Sequence, residues 1–437
     1  MAVATVELVL TLFLVVMLVS QIFSVKTKLP YTVILVFVGL GITAVSALPF
    51  LGSNVVLDSI ASVLQQMGTF YETLVGGGLF VGIVVPPLIF EAMMHIRGPD
   101  LRAVIRPSIV LATAGVVIAT IVGGFVLTRI SGLPLAVSLL FAAIIAPTDA
   151  VTVLEIFRRT AVAPRLVALM DTEAAFNDAT AIVVFSIVLS SITLAKISIF
   201  SAAFSFAFSI AGGVLIGLLI AIAARAVSSK IDDKIAELIL TISAVYGSYV
   251  FASGVGASGL IAVAIVGLYF GNVTMGKTIS PASRDTILTF WEVAAFIGNS
   301  VAFLLIGFET TLVTFSQSIF LIIAAYAAVT LARAASVYPI LALFNQLGER
   351  IPIRWSNIAM LGGVRGALSI ALAASLSASA VLSPDNIRTI TSMVLGVAFI
   401  SIVFQVPILS RYIETSPVAT DETNGSTKTN NSPGLPG

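Results

Sequence analysis

The sequence predicts an all-α polytopic membrane protein with about thirteen transmembrane helices, and three observations carry that prediction. First, of 437 residues 58% are hydrophobic and only 10% charged, with a mean hydropathy of +1.12. A soluble chain of this length needs far more polar surface. Second, apolar stretches long enough to cross a bilayer alternate with short polar loops. Third, Lys and Arg segregate to alternate loops. With the N-terminus outside, only Arg129, Lys196 and Arg388 fall on outer loops, and Arg333 and Arg365 lie within spans. Every other Lys and Arg is then cytoplasmic, the bias that fixes orientation and that an error of one helix would scramble.

The expected spans are 6–23, 31–49, 74–94, 108–127, 133–154, 166–189, 200–224, 235–251, 255–270, 287–308, 319–343, 355–376 and 390–409. The first has no basic stretch before it and no Ala-x-Ala exit, so it is expected to be a retained helix rather than a cleaved signal. The third carries Pro86-Pro87 and ends on Glu91 and His95, an i, i+4 pair. The fifth holds Ala146-Pro147-Thr148-Asp149, and proline there removes a backbone donor and crowds the preceding turn. The ninth is short, which calls for tilt, local thinning or partial burial. The twelfth breaks at Gly362-Gly363-Val364-Arg365-Gly366. An outer loop at 50–72 carries no motif, and the Ser/Thr/Asn/Pro/Gly-rich stretch 415–437 is expected to be a disordered cytoplasmic tail.

The two breaks occupy the fifth position of two six-helix sets running in opposite directions. That is the arrangement expected of inverted repeats, with interrupted helices at a transport site. The expected organisation is a membrane domain over 1–414, with repeat 1 at 6–189, a linker helix at 200–224 and repeat 2 at 235–409. No internal identity supports the repeats, so they rest on position alone.

Composition also narrows the chemistry. The absence of cysteine excludes disulfides, thiolate nucleophiles and Cys-ligated metals, and the single histidine excludes a His-rich metal site. A net charge of +1 gives no reason to expect nucleic acid. No cofactor and no enzymatic activity are expected.

An acid within hydrocarbon marks a functional site by default, and the sixth span has Glu173 and Asp178 in the run Met170-Asp171-Thr172-Glu173-Ala174-Ala175-Phe176-Asn177-Asp178. Asp178 has no basic residue one turn away on its helix. Burial disfavours a bare carboxylate, so the group is stable with a proton or a hard monovalent cation on it, and not with both. That competition is the minimum machinery of cation/proton exchange. Five residues at about 100° each put Glu173 and Asp178 on different faces. Glu173 instead stacks with Asn177 at i+4 and is expected to be a paired structural acid, with direct ion contact as the alternative. Its expected partner is Arg333, otherwise unsupported in the eleventh span.

At the fifth-span break, freed carbonyls and the Thr148 hydroxyl offer oxygens to a cation such as Na+. Asp149 there, and Arg365 at the twelfth-span break, either neutralise half-helix dipoles or take part in transport. Glu91 and His95 are candidates for ion access or pH sensing, or form an interfacial contact. Glu292 and Glu309 near span ends are expected to reach water, and Asn299 in the tenth span to join helices.

Five motifs then carry a resemblance. Pro86-Pro87-Leu88-Ile89-Phe90-Glu91-Ala92, Ala146-Pro147-Thr148-Asp149-Ala150-Val151, Glu173-Ala174-Ala175-Phe176-Asn177-Asp178, Phe303-Leu304-Leu305-Ile306-Gly307 and Gly362-Gly363-Val364-Arg365-Gly366-Ala367 resemble, in order and spacing, the motif series of NhaP-type sodium/proton antiporters. This branch of the monovalent cation/proton antiporters is related to the animal sodium/hydrogen exchangers. The resemblance implies thirteen helices in two inverted six-helix repeats with crossed unwound helices, a homodimer in the cell (plasma) membrane, and an elevator-type core. It implies Asp178 as the ion- and proton-binding carboxylate, Asn177 as its companion and Thr148 as an oxygen donor to the cation. It also implies the pairs Glu173–Arg333 and Asp149–Arg365, and electroneutral exchange of one Na+ or Li+ for one H+. Many relatives carry a serine after the glutamate; Ala174 stands there, so one oxygen is missing and K+/H+ exchange is the alternative. Regulation is expected to be intrinsic, by pH. Two rivals from other classes are an intramembrane aspartyl protease using Asp149 and Asp178, whose Gly-x-Gly-Asp and Tyr-Asp settings are missing, and a passive cation channel.

Overall fold

The structure is a computed structural model, and it describes residues 3–27, 29–46, 80–160, 162–194, 199–309, 312–376 and 382–415. The expected outer loop 50–72, the start of the third span at 74–79 and the tail from 416 onward lie outside the described residues. All regular structure among the described residues is helical.

Within the described residues, each expected span contains helix. We label these α1 (Val3–Thr27), α2 (Tyr31–Ser46), α3 (Val85–His95) and α4 (Gly98–Ser131). The fifth span is split into α5a (Leu135–Ile145) and α5b (Ala150–Arg159). Next come α6 (Pro164–Leu194), α7 (Ile199–Ser228), α8 (Lys234–Gly254), α9 (Gly259–Tyr269), α10 (Pro281–Glu309) and α11 (Leu312–Phe344). The twelfth span is split into α12a (Ile353–Leu361) and α12b (Ala367–Ser375), and α13 runs Pro384–Thr415. Among the described residues, seven helical stretches are long and apolar enough to cross a bilayer unaided.

Local chemistry sets several of these ends. The Asp233 carboxylate accepts from the backbone N–H of Ala236 at 2.8 Å and caps α8. The ninth span begins later than its apolar run suggests. Gly256 turns the chain in the left-handed region (φ +78°), and α9 starts only after the capping hydroxyl of Ser258. Within α13 a π-helical turn at Ser401–Gln405 re-aims two polar side chains. Ser401 accepts from the Arg365 backbone N–H at 3.2 Å, and Gln405 donates to the Leu361 carbonyl at 2.6 Å. Both bonds serve the break in the twelfth helix.

The helices pack as two groups. One joins α4, α5a, α6, α11, α12b and α13; the other joins α1, α2, α3, α7, α8, α9 and α10. Small residues allow close approach where α2 crosses α10: a side chain on Gly307 would strike the Val36 carbonyl, and one on Gly39 the Leu304 carbonyl. The groups meet where α6 touches α3, α7 and α9, and where α10 touches α12b and α13. The candidate site lies along that seam.

Candidate ion-binding site

The two broken helices meet. Asp149, just ahead of α5b, donates its backbone N–H to the Val364 carbonyl between α12a and α12b at 2.8 Å. Glycine is needed there for room: a Cβ on Gly366 would sit 2.7 Å from the Asp149 Cβ, and one on Gly363 would sit 3.0 Å from the Arg333 Nε.

Each break exposes helix-end carbonyls, and a buried arginine answers each. Arg365 is 4% exposed, and its guanidinium donates to the carbonyls of Ile145, Ala146 and Pro147 at 2.7, 2.9 and 3.3 Å. Those carbonyls end α5a, where the half-helix dipole is negative. Arg333, 7% exposed, donates to the Ala359 carbonyl near the end of α12a at 3.0 Å. The Nη1 and Nη2 groups of Arg333 hold Glu173 in a fork, 2.8 and 2.9 Å to its two carboxylate oxygens. Glu173 is fully buried and faces this cation, not the cavity described next.

Asn177 ties the pair to the break. Its amide donates to Glu173 at 3.1 Å and to the Thr148 hydroxyl at 2.7 Å, while its own carbonyl oxygen is buried without a hydrogen-bond partner. Thr148 therefore keeps a lone pair for another ligand. Asp149 accepts from the Thr152 hydroxyl at 2.8 Å.

On the far side of α6 lies a cavity of about 70 Å³ along the seam. That volume holds a cation with a few waters. Thr148, Asp149 and Asp178 line it from one group, with Asn299 and Ala302 of α10 and Leu88 and Ala92 of α3 opposite. Among the described residues no side chain forms a hydrogen bond or ion pair with the Asp178 carboxylate. Ala174 presents only a methyl group to the cavity. Asn299, expected as a helix-joining amide, sits in the wall.

Glu91 and His95 lie elsewhere. They flank a second cavity of about 360 Å³ at the α3–α4 loop, together with Arg97 and Asp100. His95 Nδ1 is 2.8 Å from the Glu91 carbonyl oxygen and 3.5 Å from its carboxylate. Glu292 is exposed, and the side chain of Glu309 is outside the described residues.

Two lining residues escaped the sequence reading. Ser369 of α12b is 1% exposed, and its hydroxyl has no hydrogen-bond partner; nothing in its apolar run marks it. Asp171 lines both cavities. Its spacing from Asp178, seven residues and so two helical turns, was the available signal.

Comparison with known proteins shows the family to which the chain is related. Residues 9–414 match the family described as sodium/hydrogen exchanger, transmembrane. The chain is 32% identical to the Na(+)/H(+) antiporter ApNhaP of Aphanothece halophytica, over 90% of this chain and 71% of that one. It is 30% identical to the low-affinity Na(+)/H(+) antiporter NhaS1 of Synechocystis, over 82% of this chain and 64% of that one. The fold resembles that of the sodium proton antiporter MjNhaP1 of Methanocaldococcus jannaschii, with a TM-score of 0.73 at 21% identity, covering 94% of this chain and 99% of that one. With its crossed broken helices, its two capping arginines and a family match over nearly its whole length, this chain belongs to the sodium/hydrogen exchanger family.

Proposed function

We propose that this protein exchanges Na+, or Li+, for H+ across the membrane, and that Asp178 binds the two in turn. The observation that carries this reading is the Asp178 carboxylate in a cavity with the Thr148 hydroxyl, with no cation of the protein paired to it among the described residues. Such a carboxylate needs a counter-ion or a proton in a low-dielectric surround. Thr148, held by Asn177, offers the neighbouring oxygen. Ser369 supplies a further hydroxyl on the wall, and water completes the shell. Glu173, Arg333 and Arg365 hold the broken helices in register and do not bind the travelling ion. One acid cycling one charge makes the exchange electroneutral.

The seam suits alternating access by sliding of one helix group past the other, because the ion-binding residues belong mainly to one group and apolar side chains such as Leu88 and Ala302 face them from the other. We assign the first group as the moving core. The Lys/Arg bias supports a multi-pass protein with an outer N-terminus and a cytoplasmic C-terminus, and the motif resemblance implies a homodimer in the cell membrane.

K+/H+ exchange is the second reading, favoured by Ala174, which leaves the cavity one hydroxyl short of a tight Na+ shell. A pH-sensitive dye in everted vesicles decides between them. Lumenal acid should dissipate on adding Na+ or Li+ and less on adding K+. A larger K+ response selects the second reading, and no response to any of the three overturns both.

A further inference from the structure

Among the described residues, Asn299 is the one polar side chain that α3 and α10 bring to the site cavity. Its neighbours from those helices are apolar, among them Leu88, Ile89, Ala302 and Phe303. The other polar side chains on the wall all belong to the group that contains α6.

The amide is not spent on joining helices. Ser300, next in the chain, makes that contact inside its own group. Its hydroxyl lies 2.8 Å from the Tyr31 hydroxyl of α2 and donates to the Phe296 carbonyl at 2.7 Å. The Tyr31 ring stacks on Phe296, with centroids 4.9 Å apart. On the other side, Gly298 seats α10 against α3: a Cβ there would sit 2.5 Å from the Leu88 Cδ1. About 100° round the helix from Ser300, Asn299 turns to the seam and makes no side-chain hydrogen bond among the described residues. Packing of α10 holds the carboxamide in place and leaves it a donor and an acceptor for whatever fills the cavity. An amide without a partner is costly in such a place, and an occupant supplies one.

We infer that Asn299 is a ligand of the cation on the cytoplasmic side only, and so sets the ratio of the affinities on the two faces. This rests on the exchange reading and on the moving core assigned above. A residue of the moving group travels with the ion and meets it in both states; a residue of the stationary group meets it in one. The site cavity shares Ala92 with the cavity at the α3–α4 loop, and the Lys/Arg bias puts that loop in the cytoplasm. The state shown is therefore the inward one. In it the Asn299 amide oxygen joins Thr148 and Asp178 around Na+. When the core slides outward the ion leaves that oxygen behind and keeps only the core's own ligands.

The test measures half-saturating Na+ for the full-length protein on each face, in everted and in right-side-out vesicles, at a pH above the titration of Asp178. Asn299→Leu keeps the side chain's size and removes its oxygen. It should raise half-saturating Na+ about tenfold on the cytoplasmic face and leave the outer value at the parent's. Thr148→Ala, on the moving group, should raise both together. Asn299→Asp, which puts a carboxylate oxygen in the same place, should lower the cytoplasmic value severalfold and again spare the outer one. An equal change on both faces, or none on either, overturns the assignment; with Asp178→Asn inactive alongside, the exchange reading still stands. Parent-like exchange by Asp178→Asn removes both. Should Asn299→Leu not reach the membrane, Asn299→Asp decides by the same comparison of faces.

Discussion

The backbone N–H of Asp149 donates to the carbonyl of Val364, joining two interrupted helices that lie more than two hundred residues apart in the chain, at 2.8 Å. The bond matters because each break frees donors and acceptors that lipid cannot satisfy. The protein answers with this bond, with Arg365 on the end of α5a and with Arg333 on the end of α12a. The side-chain oxygens of Thr148 and Asp178 are then left to the cavity between the helix groups.

Asp178→Asn keeps the side chain's shape and removes its exchangeable proton. Cation-driven proton movement should fall to the background of empty vesicles, with detergent-solubilised yield and melting temperature near the parent's. Exchange at the parent rate contradicts the assignment.

Arg333→Ala strands Glu173 in a fully buried position. Breaking a buried ion pair on one side costs about 3–5 kcal/mol, so the variant should express poorly and melt early by fluorescence-detected gel filtration. The double variant Glu173→Leu with Arg333→Leu should recover part of the lost yield, because no charge is then left alone. Equal yields for Arg333→Ala and the parent would remove the pair's structural role.

Proton and cation compete for one group, which fixes the sign of the pH dependence. As pH falls, protonated Asp178 becomes more abundant and more Na+ is needed to displace the proton. The half-saturating Na+ should therefore rise on acidification and level off above the titration of the group. A half-saturation independent of pH counts against a shared site.

Much of this arrangement was legible in the sequence because membranes impose strict rules. The i, i+4 spacing of Glu173 and Asn177 foretold their hydrogen bond, and the isolated Arg333 foretold a partner. Pro147 and the Gly362–Gly366 run foretold the breaks. Other features depend on tertiary approach, which no local pattern encodes. That Arg365 spends its donors on three carbonyls of another helix follows from the crossing itself. So does the position of Ser369 in the cavity wall, since an apolar run gives no sign of which face a lone serine takes. Asp171 was readable from its spacing to Asp178, but its role as shared wall appears only with α3 packed against α6.

Gly366→Ala tests the crossing directly. A methyl group there would sit 2.7 Å from the Asp149 Cβ, and overpacking of this kind costs about 1–3 kcal/mol. A lowered melting temperature with reduced exchange is expected. A variant that melts and exchanges like the parent would mean the helices do not cross this closely.

The most direct measurement is the number of protons released per Na+ bound, by calorimetry of the purified protein in two buffers of different ionisation enthalpy. Linkage predicts close to one proton released below the titration of Asp178, and none from Asp178→Asn. Na+ binding to the parent protein with no proton release would contradict the account.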